Sequence, residues 1–463
     1  MSSGIATVAY GFVILALFLL DRDSKTQVSS ALWIPMAWLW ISASRPVTQW
    51  LGVASAEETV DKVHEGSPLD LLIFAGLLVA GLMALFARRR LVGTFLRENW
   101  PLLVLILYCG VSVLWSDYSF VAFKRWIKAC GSLVMVLVVL TDPDPAAAVK
   151  RLLSRSGFLL IPLSIMLIKY YPNLGVSYSP WTGTSYFGGV STGKNGLGFV
   201  CLIFGLGSLW RVVEVLRCGE LSRKTGPLIA HGAVLLMTLW LFRMADSATS
   251  LACFLGGGFL IAVTSLPGLI RKQTRVHLLV GTVLVLAFYG LILNPGMGAV
   301  EAVGRDSTLT GRTELWAQVL SWPGDPLFGR GFSSFWLGDR LEYFWRTIWW
   351  HPRQSHNGYI DAFLNLGWTG VTLLAFIMAW GYQNVIGWFR RDPEAGRLRL
   401  AYFVIALLYN MTESVFFEVH PVWIAFLLAI AVIPEPSRLE GRFYPSTRMA
   451  PSATTGSASA VMM

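Results

Sequence analysis

Two residue types in this chain could do chemistry together. His356 sits in the run Ser355-His356-Asn357-Gly358-Tyr359, with Arg353 and His351 close by in sequence. An imidazole there can take or give a proton near neutral pH. Arg312 sits in Gly311-Arg312-Thr313-Glu314-Leu315-Trp316. A guanidinium keeps its charge and grips phosphate oxygens two at a time. A proton acceptor and a fixed cation suit group transfer between an anionic substrate and a hydroxyl. Each also has a plainer reading: a histidine at a membrane interface can be simply hydrogen-bonded, and Arg312 can pair with Glu314, with Asp306 or with lipid headgroups. His-x-x-Glu-His, CxxC and mixed Cys/His clusters do not occur, so no metal and no cofactor is expected.

Both residues belong to a polar stretch, 294–358, inside an otherwise apolar chain. It holds six arginines against six acids, so a phosphate site there must come from local clustering rather than net charge. It also holds six tryptophans. Flat rings of this kind stack on sugar faces, and Trp316 is the one nearest the arginine. They also form belts at membrane interfaces, which is the reading preferred for Trp349 and Trp350. Elsewhere, the run Gly188-Gly189-Val190-Ser191-Thr192-Gly193 precedes Lys194 and Asn195. At a helix start it could offer backbone N–H groups and a cation to an anion, or be only a flexible turn. It is not a nucleotide-binding P-loop, because Asn195 stands where Ser or Thr is needed and no strand precedes it. Lys124, Arg125, Lys128, Arg243, Asp246 and Glu413 fall at or just inside the ends of apolar segments. Ionisable groups so placed are functional candidates unless they snorkel to water. Arg243 and Asp246 are expected to pair at i,i+3 spacing.

What positions these residues must be a bundle of membrane helices. The chain has 463 residues, 55% hydrophobic and 14% charged, with mean hydropathy +0.58. Soluble chains carry about 25% charged residues. Apolar runs predict an all-α, polytopic fold with thirteen spans near 5–20, 31–44, 69–87, 100–115, 126–141, 156–168, 195–210, 227–243, 249–266, 277–293, 359–384, 401–416 and 421–434, or twelve if the short 31–44 run with Pro35 does not cross. The first run has no basic flank and reads as a retained span. Residues 1–435 form one transmembrane domain, and the polar tail 436–463 is expected to be cytoplasmic and disordered. The net charge of +10 reads as loop anchoring, not nucleic-acid binding. Loops 88–99, 211–226 and 390–400 each carry four Lys or Arg, whereas 411–420 carries none. This alternation places the N-terminus and the long loop 294–358 outside the cytoplasm. None of the five cysteines lies in that loop.

Taken in order, Gly311-Arg312…Trp316, then Pro326…Gly329-Arg330-Gly331, then Ser355-His356-Asn357-Gly358-Tyr359…Gly367…Gly370 resemble the O-antigen ligase/O-antigen polymerase family of bacterial envelope enzymes. Lys194-Asn195 and Asn410-Met411-Thr412-Glu413-Ser414 fit the same pattern. Glu65-Gly66-Ser67-Pro68-Leu69-Asp70 and Trp115-Ser116 resemble its exopolysaccharide polymerase branch. The resemblance spans roughly residues 60–435. It implies a metal-independent glycosyltransferase of the bacterial inner membrane, acting on its periplasmic face. The implied donor is an undecaprenyl-diphosphate-linked oligosaccharide. The implied acceptor is a glycan hydroxyl, on another lipid-linked unit for a polymerase or on lipid A–core for a ligase. Membrane lipid and a chain-length regulator are the further partners that this implies. On this reading His356 and Arg312 are the catalytic residues, and Lys194, Asn195, Arg243, Arg353 and Trp316 bind substrate. One departure stands out: Ala248 occupies a position where relatives often carry a basic residue, and Arg243, about a turn earlier, is the candidate to replace it.

Two other classes fit the composition. A transporter or flippase for a lipid-linked sugar would place charge along a central path, whereas here polar residues gather on one face. A non-enzymatic assembly factor would follow if Ala248 disabled the site.

Overall fold

The computed structural model describes residues 2–22, 28–53, 66–178, 183–217, 225–266, 272–289 and 310–433. The tail 436–463, the stretch 294–309 with Arg305 and Asp306, and Glu65 lie outside the described residues.

The chain is a helical bundle. Its helices are α1 (Ser3–Leu20), α2 (Trp33–Ala43), α3 (Pro68–Ala87), α4 (Arg89–Glu98), α5 (Trp100–Val111), α6 (Ser119–Leu140), α7 (Pro145–Tyr170), α8 (Lys194–Arg217), α9 (Thr225–Ala245), α10 (Ala248–Thr264), α11 (Gln273–Phe288), α12 (Thr310–Leu320), α13 (Gly338–Thr347), α14 (Gly358–Arg391), α15 (Pro393–Tyr409) and α16 (Pro421–Ile430). The described strands, Val176–Tyr178 and Ser185–Phe187, form one antiparallel hairpin with Ser177 opposite Tyr186.

Each of the thirteen apolar segments overlaps a described helix, but not each is a full crossing. Six described helices are long and apolar enough to span a membrane: α1, α3, α7, α8, α9 and α14. A seventh span would be the pair Arg89–Glu98 and Trp100–Trp115, which is bent by 86°. α2 and α16 are only 11 and 10 residues long. At about 1.5 Å per residue they fall well short of a bilayer core of about 30 Å. The apolar run 401–416 stops being helical at Tyr409.

Local chemistry sets several helix starts. Ser67, Asp144, Asn357, Asp392 and His420 each accept a backbone N–H within the first turn through their side chains. Four of the five are followed by proline, whose missing N–H costs nothing at that position. The most buried helices, α7, α8, α15 and α16, form the centre of the core.

α14 is broken near its start. Gly367 has φ +63, and a Cβ there would lie 2.3 Å from the Leu327 carbonyl carbon. The break frees backbone groups: Trp368 N donates to Pro326 O at 2.9 Å, Thr369 N to Leu327 O at 3.1 Å, and Arg330 N to Leu364 O at 3.0 Å. The long loop is therefore clamped to α14 by its backbone. The loop also has a core of its own, built on Leu315, Val319, Phe335, Leu341 and Phe344. Trp350 packs against that core while Trp349 is 65% exposed, so the expected belt pair is split.

Candidate active site

Glu413 is where the separate sequence signals meet. It lies in the turn between α15 and α16, and its side chain is only 8% exposed. His356 Nδ1 lies 3.3 Å from Glu413 Oε2. Asn195 Nδ2 donates to Glu413 Oε1 at 2.9 Å, and Arg312 Nη2 lies 3.5 Å from that same oxygen. Arg312 Nη1 also donates to Thr412 O. One carboxylate thus gathers three of the residues picked out from sequence, from α8, α12 and the loop before α14.

The turn carrying Glu413 is pinned to the histidine segment. Gly358 N donates to Asn410 O at 2.8 Å and to Glu413 O at 3.1 Å. A Cβ on Gly358 would lie 2.2 Å from Asn410 Oδ1, so the approach needs glycine. That Oδ1 also accepts from Val415 N and Phe416 N, holding the turn closed. On the other side, Ser355 N donates to both oxygens of Asp361, and Trp336 Nε1 donates to Asp361 Oδ1 at 2.8 Å. His356 itself sits at φ +53, an uncommon conformation for a non-glycine residue that the surrounding bonds hold in place.

The geometry assigns the histidine's proton. A carboxylate oxygen only accepts, so the 3.3 Å contact to Glu413 calls for the hydrogen on Nδ1, and Gln354 Nε2, itself a donor 3.4 Å from that nitrogen, then makes no hydrogen bond to it. Nε2 then keeps its lone pair and makes no hydrogen bond among the described residues. This is the arrangement of an imidazole ready to take a proton.

His356 and Glu413 line a polar cavity of about 1020 Å³, together with Lys194, Asn195 and Arg243. Lys194 opens α8, so its first-turn N–H groups face the same region. Arg243 is exposed at the end of α9. The expected Arg243–Asp246 pair does not form among the described residues. The helix ends at Ala245, and Asp246 turns to φ +49, which breaks the spacing that brings i and i+3 together.

Three sequence candidates stand elsewhere. Arg312 is not among the residues lining this cavity and works through Glu413 and Thr412. Trp316 Nε1 donates to Ser355 O at 2.8 Å, which fixes the residue before His356. Arg353 stacks over Trp345 at 5.5 Å and lines a second, smaller chamber of about 300 Å³. That chamber also holds Arg125 and Glu418, and shares Gln354, Ser414 and His420 with the main cavity. Desolvation by its walls raises the Glu418 carboxyl above the usual range, against the pull of Arg125 and Lys128. Burial pushes His420 down to about 3, so it is neutral, and its Nδ1 accepts from Val422 N at 3.2 Å.

A family model described as O-antigen ligase matches residues 232–376. The exopolysaccharide production protein ExoQ of Rhizobium meliloti (strain 1021) is 25% identical over 318 residues, covering 66% of this chain and 70% of that protein. Both findings support an O-antigen ligase/polymerase-like family for the chain. They also support a polysaccharide-related enzyme of multi-pass membrane type. The O-antigen ligase match takes in Arg243, Arg312, Arg353 and His356. Lys194, Asn195 and Glu413 lie outside it and join the site through the fold. The sequence marks Glu413 as a charge at a helix end and as part of the run Asn410 to Ser414, but not its partners, which are 57 to 218 residues away.

Proposed function

We propose that this chain joins an oligosaccharide, carried on undecaprenyl diphosphate, to a sugar hydroxyl on the periplasmic face of the inner membrane. The observation that carries the reading is the His356–Glu413 pair at the wall of a cavity that Lys194 and Arg243 also line. The acceptor hydroxyl oxygen attacks the anomeric carbon of the donor sugar. The bond from that carbon to the diphosphate oxygen breaks, and its electron pair leaves with the lipid diphosphate. His356 Nε2 takes the hydroxyl proton and later releases it to solvent or to the leaving group. Glu413 holds the imidazole in the right tautomer and stabilises its charged form. Lys194 and Arg243 offset the growing charge on the diphosphate, a role that metal ions fill elsewhere. Arg312 keeps Glu413 in place.

The likeness to an exopolysaccharide production protein favours the polymerase form, with another lipid-linked unit as acceptor. The ligase form differs only in acceptor. Purified protein, synthetic lipid-diphosphate donor and both acceptor types separate these forms from each other and from a flippase. New glycosidic bonds are expected, and translocation without bond formation would sink the transferase reading. His356→Gln is expected to lower turnover by about 10²–10⁴-fold while the protein stays folded. Unchanged turnover in that variant would remove the general base.

A further inference from the structure

We infer that the chamber of about 300 Å³ beside the main cavity seats a sugar ring of the acceptor glycan, with the Glu418 carboxyl as hydrogen-bond partner for its hydroxyls. The identity of that glycan as acceptor rests on the transferase reading; the binding of a ring does not.

Four observations lead there. The chamber has the volume of the smallest ligand sites, which run from about 300 to 1,000 Å³, so it admits a ring rather than a chain. Its walls combine aromatic faces, Phe332, Trp336, Phe416 and Phe417, with polar groups, the combination that holds a sugar by stacking and hydroxyl bonding.

The two carboxyl groups lining it are also unlike. Asp361 is saturated by Ser355 N and Trp336 Nε1. Glu418 lines the chamber, attracted by Arg125 and Lys128, and its side chain makes no hydrogen bond or ion pair among the described residues. The cations are committed: Arg125 donates to Ser333 O at 2.7 Å, and Arg353 stacks on Trp345. Two arginines thus share the lining with two carboxyl groups, and Lys128 adds its attraction to Glu418. Lys194 and Arg243 line the main cavity together with Asp246 and Glu413.

Position completes the case. Gln354, Ser414 and His420 line both spaces, and Gln354 Nε2 lies 3.4 Å from His356 Nδ1. A ring in the chamber therefore lies across these shared residues from the cavity that His356 lines. His420 accepts from Val422 N through Nδ1, which leaves the ring hydrogen on Nε2 as a donor at the shared wall.

The test uses full-length protein in nanodiscs and lipid-free oligosaccharides released by mild acid from the polysaccharide of the producing cells. Saturation-transfer NMR is expected to show binding to the wild type, weakened by at least about tenfold in Glu418→Gln, while farnesyl diphosphate, standing in for the lipid-diphosphate donor, binds both alike. Equal oligosaccharide binding by wild type and variant overturns the proposal. A variant-free measurement guards against misfolding: a diazirine-bearing oligosaccharide should label residues 332–336 or 416–419 of the wild type. Labelling elsewhere, or none, overturns it. The two readings fail separately. Labelling in the chamber by a protein that forms no glycosidic bond would sink the transferase and keep the sugar site. Transfer with labelling elsewhere would do the reverse.

Discussion

At the scale of single residues, the proposed site depends on a carboxylate that holds three other side chains. Glu413 receives the Nδ1 hydrogen of His356 and the side chains of Asn195 and Arg312. On the proposed mechanism its loss should damage turnover far more than donor binding, because it orients the base without contacting the diphosphate. Glu413→Gln keeps an oxygen for Asn195 but can present an N–H to His356 and favour the wrong tautomer. About a 10²-fold fall in kcat is expected, with donor affinity, measured by binding, held near the wild-type value. A kcat that does not move would show that Glu413 only closes a turn. His420 gives a pH test. Its folded pKa of about 3 is depressed from 6.5 by burial, so the unfolded chain takes up the proton first as pH falls. The stability associated with its neutral form is complete above about 6.5 and is lost as pH falls from there towards about 3. His420→Asn keeps a side-chain acceptor for Val422 N at the start of α16 but cannot titrate. Melting curves across that window should show a smaller acid-side decline for the variant; parallel curves would remove the assignment.

Among the elements, the break in α14 joins the loop to the bundle. Gly367 adopts φ +63 against the backbone of Leu327 and Phe328. Gly367→Ala must strain the backbone or push the loop away, at a cost of about 1–3 kcal/mol. Gly387→Ala, in the same helix with open space around it, should be neutral or slightly stabilising. A lower melting temperature and weaker transfer are expected for the first variant alone; equal behaviour of the two would show that the clamp does not matter. This clamp could not be read from the sequence, where residues 359–384 form one apolar run. The helices themselves could, because hydrophobicity is local: all thirteen segments overlap described helices, and the caps at Ser67, Asp144 and Asp392 sit where Pro follows. What escaped depends on distant contacts. The loop's tryptophans look alike in sequence, yet Trp316 hydrogen-bonds Ser355 O, Trp336 holds Asp361, and Trp349 is exposed. Likewise His356, Asn195, Arg312 and Glu413 are legible as separate candidates, while the contacts joining them are not. A buried carboxylate announces its partners only once the turn that carries it has been placed against three other segments.

Across the whole molecule, helix ends sort the chain's polar chemistry onto two faces. The starts of α8, α14 and α16 and the ends of α9 and α15 meet at the main cavity. The opposite ends carry a different set: Arg88 with Asp142, Lys150 with Glu214, and Arg211 with Asp21 and Glu214. Arg88 and Arg211 open segments whose Lys and Arg content marks them as cytoplasmic, and their ion pairs gather these helix ends at one end of the bundle. On the proposed function the face bearing His356 is the outer one, as a transferase working on exported lipid-linked sugars requires. Cysteine labelling tests this directly in a chain whose five native cysteines have been replaced. Tyr178 in the hairpin is 69% exposed, and the Arg346 side chain in the loop is 76% exposed; both belong to the site face. Arg90 is exposed at the start of α4, on the far side. With a membrane-impermeant maleimide on intact spheroplasts, Tyr178→Cys and Arg346→Cys should label at once, and Arg90→Cys only after permeabilisation. The reverse pattern would keep the bundle and abolish the periplasmic assignment, and with it the exported donor. Labelling of Tyr178→Cys and Arg346→Cys from different sides would instead contradict the convergence of loop and hairpin on one face, on which the site itself is built.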